Sequence, residues 1–302
     1  MLDWTWLWIP ATLVACAAQA GRNAVQRSLT TTLGTLGATQ VRFLFGFPFA
    51  LLFLAIVLAV DSGPAPGING EFLLYVVGGA LTQITATALM LAAMRERSFV
   101  VVIAWTKTEP IQVALFGFAV LGDPLSLIGI VAIMVASVGV VLMSGNPASA
   151  AGRGSLRPAL FGLVSGAFFA LSAIGFRGAI LALDHGGFFV QATWTLAWSL
   201  GVQTLILAVW MICFNRALLS ACIAAWRASL WGGFLGATAS QGWFIGFSLT
   251  AAANVRTLGL VEVLFAQILS RRLFSHASSH REKLGIVLIV IGVGALVVTS
   301  HA

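Results

Sequence analysis

The chain has 302 residues, of which 8% are charged and 60% hydrophobic. A soluble domain places about a quarter of its residues in the charged class, so this composition excludes a soluble enzyme and makes lipid the main solvent. The net charge of +7 comes from scattered basic residues, which read as the loops of a membrane protein and not as a nucleic-acid interface.

A spanning helix needs about 20 mainly apolar residues, and the sequence predicts an all-α integral membrane protein with roughly ten of them. The first, 6–27, starts directly after Trp4, Trp6 and Trp8, which suit the membrane interface, and no cleavable leader is expected there. The second, 40–60, opens near Arg42 and stops at the Gly- and Pro-rich stretch Asp61–Gly67. Residues 71–94 and 98–120 follow, separated by Arg95-Glu96-Arg97. Pro110, inside 98–120, has no N–H for the carbonyl of Thr106, so a kink is expected there and Pro110 is the candidate hinge. Gly122-Asp123-Pro124 ends that run, and 124–144 is the fifth. The second half reads as 157–181, 187–214, 227–251, 254–273 and 282–300. Small-xxx-small spacings such as Gly162/Gly166, Gly232/Gly236 and Gly242/Gly246 suit close helix packing in lipid.

The two halves are related. Gly129-Ile130-Val131 recurs as Gly285-Ile286-Val287, and Glu109/Glu262 and Arg22/Arg177 stand at nearly the same offset. An odd number of helices per repeat inverts the second copy, as in many secondary transporters. The predicted organisation is residues 1–145 as one five-helix repeat, 146–156 as a linker, and 157–302 as the inverted second repeat, around a central cavity.

Thr106-Lys107-Thr108-Glu109-Pro110, the turn Leu121-Gly122-Asp123-Pro124-Leu125-Ser126 and Gly129 resemble the signature hairpin of EamA-type proteins, the ten-helix branch of the drug/metabolite transporter superfamily. The second copy departs from it: Val263 follows Glu262, and Arg271-Arg272 through Lys283 replace the acidic turn. The resemblance implies a metabolite transporter without naming its substrate.

The loop charges are lopsided. Arg27, Arg95, Arg97, Arg153, Arg157, Arg216, Arg227, Arg271, Arg272, Arg281 and Lys283 fall on one face, whereas the opposite face holds Arg256 with five acids. The positive-inside rule then places both termini outside a bacterial-type inner membrane.

Apart from charges at span ends, which go with the loops, Glu109 and Glu262 are the only acids within the spans, and Arg22, Arg42, Lys107 and Arg177 the bases. Arg42 is expected to snorkel to the interface, a reading also open to Arg22 and Arg177. The others carry an insertion cost of at least about 2.5–3.5 kcal/mol and are expected to face a cavity or pair. Symmetry suggests two Arg–Glu pairs among Arg22, Arg177, Glu109 and Glu262, leaving Lys107 as a surplus cation suited to a carboxylate or phosphate; a Lys107–Glu pair is the alternative. Candidate substrate-binding residues are Lys107, Glu109, Thr106, Trp105, Glu262, Arg22, Asn23, Arg177, Gln241 and Trp243, with packing as the alternative role for the tryptophans and helix–helix hydrogen bonding for the amides.

The expected function is secondary transport, in the export direction, of small polar, zwitterionic or anionic metabolites such as amino acids by alternating access. Glu109 or Glu262 is the candidate carrier of a coupling proton. The alternatives are a lipid or lipid-linked-sugar flippase and an integral-membrane enzyme, although HExxH, GxSxG, P-loop and GxGxxG motifs are missing. No cofactor or metal is expected: Cys16, Cys213 and Cys222 form no CxxC pair, and His276/His280 have no third ligand. The expected partners are membrane lipids and a small-molecule substrate, with no nucleic acid, for a monomer or homodimer.

Overall fold

The computed structural model describes residues 4–61, 63–96, 99–124, 126–143, 157–265 and 280–299, and every regular element among them is helical. After a 3-10 turn at Thr5–Leu7 come α1 (Trp8–Val60), α2 (Gly70–Glu96), α3 (Phe99–Thr106), α4 (Glu109–Leu121) and α5 (Leu127–Met143). The second half contains α6 (Arg157–Leu181), α7 (Phe188–Phe214), α8 (Arg216–Ala224), α9 (Trp226–Leu249), α10 (Ala252–Leu258), a 3-10 turn at Gly259–Val261, and α11 (His280–Thr299). Among the described residues, four helices are long and apolar enough to cross a membrane, or five when the bent pair α8 and α9 counts as one. The expected linker 146–156, and His276 with most of the last loop, lie outside the described residues.

A single straight helix of 53 residues would be about 80 Å long at 1.5 Å per residue. α1 is instead a hairpin. Gly34, at φ 65 and ψ −178, breaks the helical path in a region of backbone space essentially reserved for glycine. Arg22 and Arg42 would stand about 30 Å apart on a straight helix. Yet a Cβ placed on Gly236 would lie 3.3 Å from Arg22 Cδ and 3.8 Å from Arg42 Cγ. The stretch between the runs expected at 6–27 and 40–60 is therefore helical apart from Gly34.

The run expected at 98–120 is two helices. Turn residues Lys107 and Thr108 separate α3 from α4, and Pro110 lies in the first turn of α4. A missing N–H is harmless at that position, and Glu109 beside it suits the positive end of the helix dipole. Pro110 thus opens a new helix instead of kinking a continuous one. Left-handed Gly122 closes α4, where the Asp123 N–H donates to Gly117 O at 3.2 Å. The second half repeats the device: α10 gives way to the 3-10 turn Gly259–Val261, and helix resumes at Glu262. α8 was not foreseen as a separate helix. It meets α9 at 83°, and its Cys222 packs on Gly37 beside the α1 hairpin turn.

The most extensive packing joins α1 to α9, α2 to α6 and α5 to α11. Small residues permit it. A Cβ on Gly175 would lie 2.9 Å from Gly79 Cα, and one on Gly292 would lie 2.7 Å from Ala132 O. Loops at one end are joined as well: Asn69 caps α2 through Phe72 N–H at 2.7 Å while its amide donates to Ala182 O at 2.8 Å. The Gly67 N–H donates to Asp184 Oδ1 at 3.2 Å, which holds that carboxyl below its ordinary range.

Candidate functional site

The two helix breaks bring the in-span acids to the same buried centre. Glu262 is fully buried and accepts from three donors: Lys107 Nζ at 2.5 Å, Gln19 Nε2 at 2.7 Å and Asn23 Nδ2 at 2.9 Å. Glu109, also buried, pairs with Arg256, whose Nε lies 3.0 Å from Oε1. Trp243 joins both pairs. Its indole N–H donates to Gln19 Oε1 at 2.8 Å, while Arg256 and Lys107 lie 4.6 Å and 5.9 Å from its ring centroid. Each cation is therefore held by a carboxylate and an aromatic face in a medium where either would be costly alone.

Arg22 and Arg42 enter the same cluster from the two arms of α1. Arg22 Nη2 donates to Asn23 Oδ1 at 2.7 Å, and Arg42 Nη1 donates to Thr87 on α2 at 2.8 Å. Both are buried, and neither has a carboxylate partner among the described residues. The side chains leave a cavity of about 20 Å³ between them, room for roughly one water.

Of the sequence candidates, Arg22, Asn23, Thr106, Lys107, Glu109, Trp243 and Glu262 line this cavity. The anticipated Arg–Glu pairing is not the one formed. Lys107 takes Glu262, so it is no surplus cation, and Arg177 stands elsewhere. Arg177 lies at the Asp123 end, where Nη2 reaches Asp123 Oδ1 at 3.0 Å and Nη1 reaches Phe247 O and Thr250 O at 2.6 and 2.7 Å. It satisfies carbonyls left open at the end of α9 and ties them to the turn after α4. Trp105 packs over Gly162 of α6, and Gln241 donates to Thr193 of α7 at 2.8 Å; neither lines the cavity. The carbonyl of Thr106 faces α6, where a Cβ on Gly166 would stand 2.9 Å away.

Three contributors were missed. Arg42 does not snorkel, because the α1 hairpin turns it inward to Thr87. Arg256, counted with the loop charges, lies in α10 against Glu109. Gln19 was passed over, although Gln19, Arg22, Asn23 and Gln26 follow helical spacing and form one polar stripe in an apolar run.

Residues 6–145 match the model of the EamA-like transporter family. No curated protein matches the chain. A solved crystal structure of a protein matches with a TM-score of 0.67 at 16% identity, covering 98% of this chain and 96% of its own; at that identity the likeness concerns the fold alone. The helix break with Glu109-Pro110 and the Gly122 turn both fall within the matched segment. Residues 6–145 of this chain are thus similar to the EamA-like transporter family, the family that its hairpin resembles.

Proposed function

We propose that the chain is a secondary transporter in a bacterial-type inner membrane, exporting small polar, zwitterionic or anionic metabolites by alternating access. The observation that carries this reading is the buried cluster of Arg22, Arg42, Lys107, Arg256, Glu109 and Glu262 around a nearly closed cavity. Charges at membrane depth are retained chiefly at substrate and ion pathways. A cavity this closed admits a metabolite only when helices part, as alternating access requires.

Ten crossings follow if α1 counts as two, and α3 with α4, α8 with α9, and α10 with the segment after it count as one each. Two inverted repeats, 1–145 and 157–302 joined through 146–156, are supported by the packing. Exchanging the halves turns the contact between α9 and α1 into that between α2 and α6, while α5 with α11 maps onto itself. With Arg256 assigned to the interior, the loops of the acidic face hold no Lys or Arg, and Arg177 at that end is paired with Asp123. The loop charges therefore favour both termini outside.

Counterflow in proteoliposomes tests the proposal. Vesicles preloaded with one unlabelled metabolite from a panel of amino acids, organic acids and phosphate esters should accumulate the labelled form transiently. Wild-type protein that exchanges no member of the panel, or that scrambles a fluorescent phospholipid while exchanging none, overturns it.

A further inference from the structure

The charges around the central cavity do not balance. Among the described residues lining it, Arg22, Arg42, Lys107 and Arg256 are cationic, and Glu109 and Glu262 are anionic. The carboxylates are committed to Lys107 and Arg256. Arg22 and Arg42 are 1% and 3% exposed, and their side-chain partners, Asn23 and Thr87, are neutral. Each guanidinium retains a buried nitrogen with no hydrogen-bond partner: Nη1 of Arg22 and Nε of Arg42. Their stems run side by side over Gly236. Two neighbouring buried guanidiniums repel each other and bear a desolvation cost that neutral partners do not offset.

We propose that Arg22 and Arg42 form a two-guanidinium subsite for a dianionic substrate, a phosphate monoester or a dicarboxylate. This deepens the transport reading above and rests on it. A dianion neutralises the surplus and supplies acceptors for both orphaned donors, using the planar fork that distinguishes arginine from lysine. A zwitterion brings no net charge and leaves the surplus in place. The gap in the polar shell also has a direction. Lys107, Gln19 and Asn23 already converge on Glu262, and Arg256 Nε, also without a hydrogen bond, lies 3.0 Å from the Glu109 carboxylate. The open donors with no carboxylate beside them therefore lie on the α1 side, next to Gln83 and Thr87 of α2.

The test is thermal unfolding of the full-length protein in detergent at matched ionic strength, with inorganic phosphate at pH 8, succinate, or alanine as probes. A dianion should raise the Tm with the logarithm of its concentration, and the stronger of phosphate and succinate identifies the source of the charge. Alanine should do nothing over the same range. Arg22→Gln and Arg42→Gln should each weaken the dianion by about 30-fold or more, with an unliganded Tm equal to or above wild type because one uncompensated charge is gone. If a Gln variant fails to fold, Arg→Lys at that site keeps the charge, loses the fork and should weaken binding about 10-fold. The subsite is overturned if neither dianion shifts the wild type, if alanine shifts it equally, or if dianion affinity is unchanged in both arginine variants. Counterflow separates this failure from failure of the transport reading. Zwitterion exchange that survives both Gln variants removes the subsite and keeps the transporter, whereas absence of all exchange removes the transporter even where phosphate binds.

Discussion

Glu262 receives a cation and two amides, so Lys107 is one of several groups that make its burial tolerable. Lys107→Met strands that carboxylate with only Gln19 and Asn23. A loss of about 3 kcal/mol is expected, the lower end for breaking a buried pair because the amides remain. It should be read as a lower Tm and weaker expression, and adding Glu262→Gln should restore most of the loss. Equal or additive losses in the double variant would show that the pair is not the stabilising unit. At this scale the sequence identified the acids, Lys107, Arg22 and Asn23, because a charge inside an apolar run stands out. It did not identify pairing, because partners lie in separate helices: Gln19 and Glu262 are 243 positions apart. Arg256 escaped because it lies at the start of the run expected at 254–273 and was counted with the loop charges, whereas α10 carries it into the centre.

The helix breaks determine what these residues can reach. Both Glu109 and Glu262 follow directly on a non-α turn, which gives each acid a new helix start. The first break was half visible, since Pro110 marks it. The second has no proline, and the position of Glu262 at the repeat offset is its only sequence signal. Gly34 was hidden in the same way: one glycine among many, in a stretch expected as loop, turns α1 back on itself and brings Arg42 next to Arg22. A Cβ at Gly34 has nothing within 4 Å, so a substitution there tests backbone conformation alone. Gly34→Ala should destabilise by about 1–3 kcal/mol, measured by thermal unfolding. Gly34→Asn should be no milder, because ψ −178 lies outside the left-handed helical region that asparagine tolerates. Unchanged stability in both would mean that the hairpin does not depend on this glycine.

Across the whole molecule, the helical class and several of the long apolar helices were legible in the sequence. The expected 157–181 and 187–214 fall within a residue of α6 and α7, because Gly and Pro punctuate an otherwise continuous apolar chain. The closing of the two ends was not legible, since it depends on contacts such as Arg177 with Asp123 and the α9 carbonyls. In the proposed cycle that contact closes the outer end, and the nearly filled centre is the occluded state. Ile103 lines the centre and is 1% exposed, so a thiol there reports solvent entry. The decisive measurement is labelling of Ile103→Cys, with Cys16, Cys213 and Cys222 replaced by Ala, using a membrane-impermeant maleimide on right-side-out and on inside-out vesicles. Alternating access predicts slow labelling from each side, with Asp123→Ala speeding it from the outer side only. Labelling from one side alone, or from neither while an exposed native Cys213 control reacts, would contradict a central site that opens to both faces of the membrane.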